Sequence, residues 1–329
     1  MAGSNTGIPV IDPELDNFLG ARMVEVEALL RSHITGDYPL VVETSRHLVE
    51  AGGKRVRPLL ALLASQFGDP NANGIIESAV VCELTHLATL YHDDVMDEAA
   101  MRRGVPSANI RWNNTVAILT GDYLFAKASD LLADLGPEAV RLQAKTFERL
   151  VIGQISETQG TTEGLSLLQH YIKVIEGKTG SLIATSARFG AMFAGAPAQT
   201  IERLSAFGEK VGIVFQLADD VLDVESESSG KVPGTDLREG VPTLVTLFII
   251  ESDRPEDAEL KALLSGPIED EEVVQATLKQ LRTHPALASA KALLHQYLDS
   301  ALAELAPLPD GPAKSALESL CNAIADRSA

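Results

Sequence analysis

Two acidic clusters recur in nearly the same form, Asp93-Asp94-Val95-Met96-Asp97 and Asp219-Asp220-Val221-Leu222-Asp223, 126 positions apart. Each closes a long apolar run with helical spacing, so its first and last aspartates stand at i and i+4, on one helix face and about 5–6 Å apart. Like charges at that spacing destabilise a helix unless a cation neutralises them. A single cluster is also what an acidic helix end looks like, whereas two in one chain point to metal. Hard carboxylate oxygens with no neighbouring cysteine select Mg²⁺, with Mn²⁺ able to substitute, over zinc. Mg²⁺ keeps several waters and is commonly shared between carboxylates and phosphate oxygens, so the remaining ligands are expected from a diphosphate.

An anion gripped through metal on one side needs cations on the other. Gly52-Gly53-Lys54-Arg55-Val56-Arg57-Pro58 opens a helix, where glycines permit close backbone approach and free N–H groups favour anions. Arg102-Arg103-Gly104 follows the first acidic cluster, Lys178-Thr179-Gly180 is expected to begin another helix, and Gln216 stands one turn before Asp219. Taken alone, each basic group also reads as a solvated helix end.

The rest of the chain bounds these readings. A net charge of −19 over 329 residues argues against a nucleic-acid partner. Two cysteines, Cys82 and Cys321, supply neither a disulfide framework nor a zinc spacing, which fits a reducing cytoplasm. No run of about 18 apolar residues suggests a membrane span, and Met1 to Pro9 reads as a loose tail rather than a secretory signal.

Positioning the clusters falls to helices. Apolar residues recur at three- and four-residue spacing, as in Ile75, Ile76, Ala79, Val80, Leu84 and Leu87, while hairpin signals are scarce. The spacing predicts helices over 11–34, 39–51, 55–67, 74–97, 113–133, 137–159, 164–175, 178–194, 198–224, 242–251, 256–264, 270–282, 286–305 and 312–326. With short connections between them, these imply a single all-α domain over 10–329, an antiparallel bundle around a central cavity. Ser226 to Gly240, the longest polar interruption, reads either as a surface loop or as a phosphate-closing loop.

From about residue 50 to 245 the sequence resembles the trans-isoprenyl diphosphate synthase family. The resemblance rests on Gly52 to Pro58, His86 to Arg103, Gly121-Asp122-Tyr123-Leu124, Lys178-Thr179-Gly180, Phe215 to Asp223, and Gly230-Lys231 through Asp236. It implies that Asp93, Asp94 and Asp97, with Asp219, Asp220 and Asp223, hold Mg²⁺, three ions per site, on an allylic diphosphate. Arg102, Lys178, Thr179, Gln216 and Lys231 would complete that allylic site. Gly53, Lys54, Arg57, His86 and Arg103 match the isopentenyl diphosphate site, and His92 is given a supporting role. Membership further implies a homodimer, with transient membrane association possible for product release.

Product length is expected from Ala88 and Thr89, four to five residues before Asp93 and on or near its face. Short-chain members of the family carry a blocking aromatic residue there, so small side chains suggest about seven to ten isoprene units, as in quinone side chains such as that of menaquinone. The alternative is that both are packing residues above a deeper plug, leaving a short farnesyl or geranylgeranyl product. Tyr91, expected near the tunnel, Asn113 and Val241 depart from the usual pattern. Competing readings are a terpene cyclase, which needs no isopentenyl site, and an HD-type phosphohydrolase built on His47, His92-Asp93 and Asp122. A non-catalytic subunit of a heteromeric synthase is a third.

Overall fold

Apolar spacing of three and four becomes helix along the described chain. A computed structural model describes residues 12–161, 164–225 and 233–326. Its helices, in chain order, are α1 (Pro13–His33), α2 (Pro39–Glu50), α3 (Val56–Ser65), α4 (Ile75–Met96), α5 (Ala108–Arg111), α6 (Asn114–Leu135), α7 (Pro137–Gln159) and α8 (Leu167–Ile175). There follow α9 (Ser181–Phe193), α10 (Ala198–Glu225), α11 (Thr235–Glu239), α12 (Leu244–Ile250), α13 (Ala258–Leu263), α14 (Glu271–Thr283), α15 (Pro285–Leu305) and α16 (Pro312–Ala325). Among the described residues the strands are confined to one small hairpin, β1 (Met101–Arg102) with β2 (Val105–Pro106). The all-α expectation therefore holds.

The chain divides into two compact units. One comprises Met1–Glu148, Leu182–Gly208 and Leu308–Leu317; the other Arg149–Ser181, Glu209–Pro307 and Glu318–Ala329. In the first, α3 is apolar all round, and every residue from Pro58 to Ser65 is buried, the signature of a central helix. The helix α4 packs against α1, α3 and most extensively α6. Full burial of each leucine in such a core contributes roughly 1.5–3 kcal/mol. The α4–α6 crossing is close because Gly121 has no side chain: a Cβ there would overlap the His92 ring and stand 3.0 Å from the Ala88 carbonyl oxygen. Gly121→Ala is accordingly expected to cost about 1–3 kcal/mol of stability, read by denaturant unfolding. Unchanged stability would show that His92 moves aside freely. In the second unit α12 packs on α15 and α8, and α14 on α15.

Helix starts follow local chemistry. Asp12 accepts a hydrogen bond from Leu15 N–H at 2.8 Å to cap α1, and Asn113 accepts one from Val116 N–H at 2.9 Å to cap α6. The second contact accounts for Asn113, which the family resemblance had marked as unusual.

Three local features were not anticipated. The short helices α5 and α11 are too brief to carry a periodic signal. The hairpin turns on Arg103 and Gly104, with φ of 54° and 77°, the positive pair that a two-residue hairpin turn requires. Finally, Lys178-Thr179-Gly180 does not begin a helix. Glu176–Gly180 forms a π-helical turn between α8 and α9, and such turns recur at functional sites.

Candidate active site

The first aspartate cluster lies at the end of α4 in the first unit. Asp93 and Asp97 are joined by Asp97 N–H donating to the Asp93 carbonyl at 2.8 Å, and the last helical turn contains no basic residue. Asp93 is half-buried and Asp97 exposed, whereas Asp94 is fully buried. Asp94 Oδ1 accepts from Arg102 Nε at 2.6 Å, and its Oδ2 is buried without a hydrogen-bond partner. Burial raises the Asp94 pKa against the opposing pull of Arg102. The negative end of the helix dipole thus carries three carboxylates, oxygen donors of the kind a hard divalent cation prefers, one of them with an orphaned oxygen.

The hairpin explains how adjacent arginines serve different places. Arg102, on β1, turns to Asp94, while Arg103, at the tip, reaches back to α2. There its Nη1 donates to Leu48 O at 2.8 Å and, just beyond the helix, to Gly52 O. A Cβ on Gly53 would stand 2.9 Å from Arg103 Cζ, so the glycine makes room for a guanidinium. Arg55, which the family resemblance gave no role, is consumed internally. It caps α3 in a left-handed conformation and donates to Glu27 at 2.5 Å, Glu83 at 2.8 Å and Val49 O at 3.0 Å.

Glu83 is the acid that sequence reasoning missed. It is 1% exposed, within 2.8 Å of Arg55 and 3.7 Å of Arg103. Its signal was present, a lone charge inside the apolar run of α4. Burial lowers the pKa of Arg57 and Arg103, and Glu83 opposes the fall in both. Half-buried His86 is pushed well below its ordinary value, first by burial and then by Arg57, Arg103, Arg102 and Arg55. The histidine is thus neutral near pH 7, chiefly because burial disfavours its charge and further because cations surround it. Lys54 is exposed beside this group.

The second cluster lies on α10 in the second unit. Asp219 and Asp223 are half-buried, and Asp220 is 3% exposed. Asp220 Oδ2 accepts from the Tyr171 hydroxyl at 2.5 Å and from Leu244 N–H, at the start of α12, at 2.9 Å; Oδ1 accepts from Gln216 Nε2 at 3.1 Å. Burial pushes Asp220 up to about 6 despite these donors. In both clusters the second aspartate is therefore the one turned inward.

Lys178 pairs with Glu157 of α7 at 2.6 Å. The π turn around it is closely enclosed: a Cβ on Gly153 would lie 2.7 Å from Lys178 N, and one on Gly212 would lie 2.6 Å from Gly180 Cα. Thr179 is half-buried in the same turn. Lys231, with residues 226–232, and the Met1 to Pro9 tail lie outside the described residues.

Tyr91 lies within α4, two positions before Asp93. It is fully buried, with its hydroxyl donating to Thr44 O and accepting from Leu48 N–H at 3.2 Å, so the ring anchors α4 to α2. Ala88 is fully buried, while half-buried Thr89 donates to His86 O at 2.8 Å. Val241 is exposed.

His92 lies 3.4 Å from Asp122 and contacts Ile118 O at 3.0 Å, whereas His47 contacts Pro106 O, Arg111 and Trp112. Among the described residues no three His, Cys, Asp or Glu side chains, those of the two aspartate clusters included, form a self-sufficient metal site.

A nonaprenyl diphosphate synthase of Mycobacterium tuberculosis is 48% identical over 324 residues, covering 98% of this chain and 97% of that protein. The crystal structure of a geranylgeranyl pyrophosphate synthase from Corynebacterium glutamicum, complexed with calcium and isoprenyl diphosphate, matches with a TM-score of 0.89 and 46% identity, covering 98% of this chain and 99% of that one. That of a decaprenyl diphosphate synthase from Rhodobacter capsulatus matches at 0.87 and 31%, covering 96% and 99%. The polyprenyl synthetase family profile spans residues 38–281. The chain belongs to the polyprenyl synthetase family and is a prenyltransferase, a polyprenyl diphosphate synthase. Among the described residues no helix is long and apolar enough to cross a membrane.

Proposed function

We propose that this chain adds isopentenyl diphosphate head to tail (1′-4) onto an allylic prenyl diphosphate, by ionisation, condensation and elimination, reaching about seven to ten isoprene units. The observation that carries the chemistry is the acidic end of α4, three carboxylates with no basic residue in the last turn and an orphaned Asp94 oxygen. Asp93, Asp97, Asp219 and Asp223 would hold Mg²⁺, three ions per site, with Asp94 and Asp220 assisting from their buried positions. The metal supplies positive charge to the diphosphate leaving group. Arg102, Lys178, Thr179, Gln216 and Lys231 bind that same group and stabilise the charge it gains as the C–O bond breaks. Gly53, Lys54, Arg57, His86 and Arg103 seat isopentenyl diphosphate, with its double bond turned to the allylic cation. Apolar side chains exclude water, and a diphosphate oxygen takes the final proton.

The relatives' names span different product lengths, so length rests on the small side chains of Ala88 and Thr89. Incubation with labelled isopentenyl diphosphate, farnesyl or geranylgeranyl diphosphate and Mg²⁺ is expected to yield a long polyprenyl diphosphate. A hydrocarbon formed without isopentenyl diphosphate would instead support a cyclase. Ala88→Phe, with Thr89→Phe at the half-buried neighbour, should shorten the product by several units, and an unchanged distribution from both would refute the tunnel assignment.

The chain acts as a single domain over 10–329, in the cytoplasm and as a homodimer. Exposed Ile118 and Leu119 on α6 support the dimer, because such residues favour burial against a second surface. Menaquinone side-chain synthesis is the pathway that this product class fits.

A further inference from the structure

The second aspartate cluster is held by a residue that the family resemblance did not single out. Tyr171 stands on α8, half-buried, and its hydroxyl donates at 2.5 Å to Asp220 Oδ2. That oxygen also receives Leu244 N–H at 2.9 Å, and Oδ1 receives Gln216 at 3.1 Å. Asp220 therefore joins α8, its own helix and the first turn of α12. Of these donors, the Leu244 amide belongs to a helix start and Gln216 to the same helix as Asp220. Only the Tyr171 hydroxyl ties the acid sideways to another helix through a side chain.

The consequence reaches the neighbouring carboxylates. A helix end that carries Asp219 and Asp223 can rotate or fray, and either motion spreads the orientations of both side chains. A donor locking the acid between them removes that freedom, and so lowers the ordering cost when a cation binds. The same helical run continues from Tyr171 through the π turn to Lys178, seven residues on. One element thus carries both the tether for the acidic cluster and the ammonium proposed to meet the diphosphate.

We infer that Tyr171 is a positioning residue for the second metal-binding cluster, acting through Asp220 to hold Asp219 and Asp223 for divalent-cation binding. This rests on the functional reading above.

Tyr171→Phe removes one oxygen and keeps the ring, so the fold is retained. Two measurements test it against the wild type: the Mg²⁺ concentration for half-maximal rate, and the rise in Tm on adding Mg²⁺ with inorganic diphosphate. Half-saturating Mg²⁺ is expected to rise about tenfold, the scale on which residues supporting metal ligands act. The ligand-induced rise in Tm should shrink, while the KM for isopentenyl diphosphate stays within about twofold. A purely structural tyrosine would lower the Tm of the unliganded protein and leave the Mg²⁺ dependence and the ligand-induced rise unchanged; that result overturns the inference. Asp219→Ala measured alongside separates the two claims. If it abolishes turnover while Tyr171→Phe titrates like the wild type, only the role of Tyr171 falls. If Asp219→Ala retains normal turnover and the full ligand-induced rise, the metal reading falls, and the role of Tyr171 with it.

Discussion

Asp93→Ala and Asp219→Ala are each expected to lower turnover by about three orders of magnitude or more, with folding retained. Each removes a carboxylate proposed to hold the cation on the leaving group. Losing a single fixed charge-stabilising contact in a water-excluded site costs about 10²–10³ in rate. Loss of a metal ligand also disorders the others, because groups acting as a unit are not additive. Asp93 lies at the solvent-accessible end of α4 and Asp219 is half-buried on α10, so neither substitution empties a core position. Steady-state rates at saturating Mg²⁺ and both substrates provide the measurement. A variant within tenfold of the wild type would contradict the metal role of that aspartate.

The second large effect is on stability. Glu83→Ala is expected to destabilise the fold by about 3–5 kcal/mol, the cost of breaking a buried ion pair by deleting one partner. The Glu83 side chain is 2% exposed and that of Arg55 8%. Its removal leaves Arg55, Arg57 and Arg103 clustered in poorly hydrated surroundings with less opposing charge. A fall in Tm of roughly 4–7 °C is the corresponding observable. Glu83→Gln, which keeps the shape and one acceptor, should recover part of the loss. If Glu83→Ala unfolds at the wild-type temperature, water reaches this cluster and the pair contributes little.

The pattern in the two aspartate clusters carries a more general point. Their text is almost the same, and in both the middle acid is buried, yet the partners are unrelated. Asp94 is held by an arginine eight residues on, on the first strand of the hairpin. Asp220 is held by a tyrosine 49 residues before it and an amide 24 residues after it. The first partner belongs to a recognisable local motif. The second comes together only when α8, α10 and α12 pack.

The amino-acid sequence by itself determined the helical class, the two aspartate clusters and their spacing on a helix face, and the basic groups expected to oppose them. These depend on side-chain identity and on the 3.6-residue period, which any stretch of chain carries with it. It also carried a sign of Glu83, since a charge within an apolar helix face must find partners. Only the tertiary structure decided which of those residues are already occupied. Arg55 is spent on Glu27 and Glu83, Arg103 reaches the Leu48 and Gly52 carbonyls, and Tyr91 anchors α4 to α2. The π turn at Lys178, enclosed by Gly153 and Gly212, was likewise invisible in the text. The reason is physical: periodicity tells which face of a helix is apolar, whereas hydrogen-bond partners and backbone approach depend on residues tens of positions away that meet only after packing.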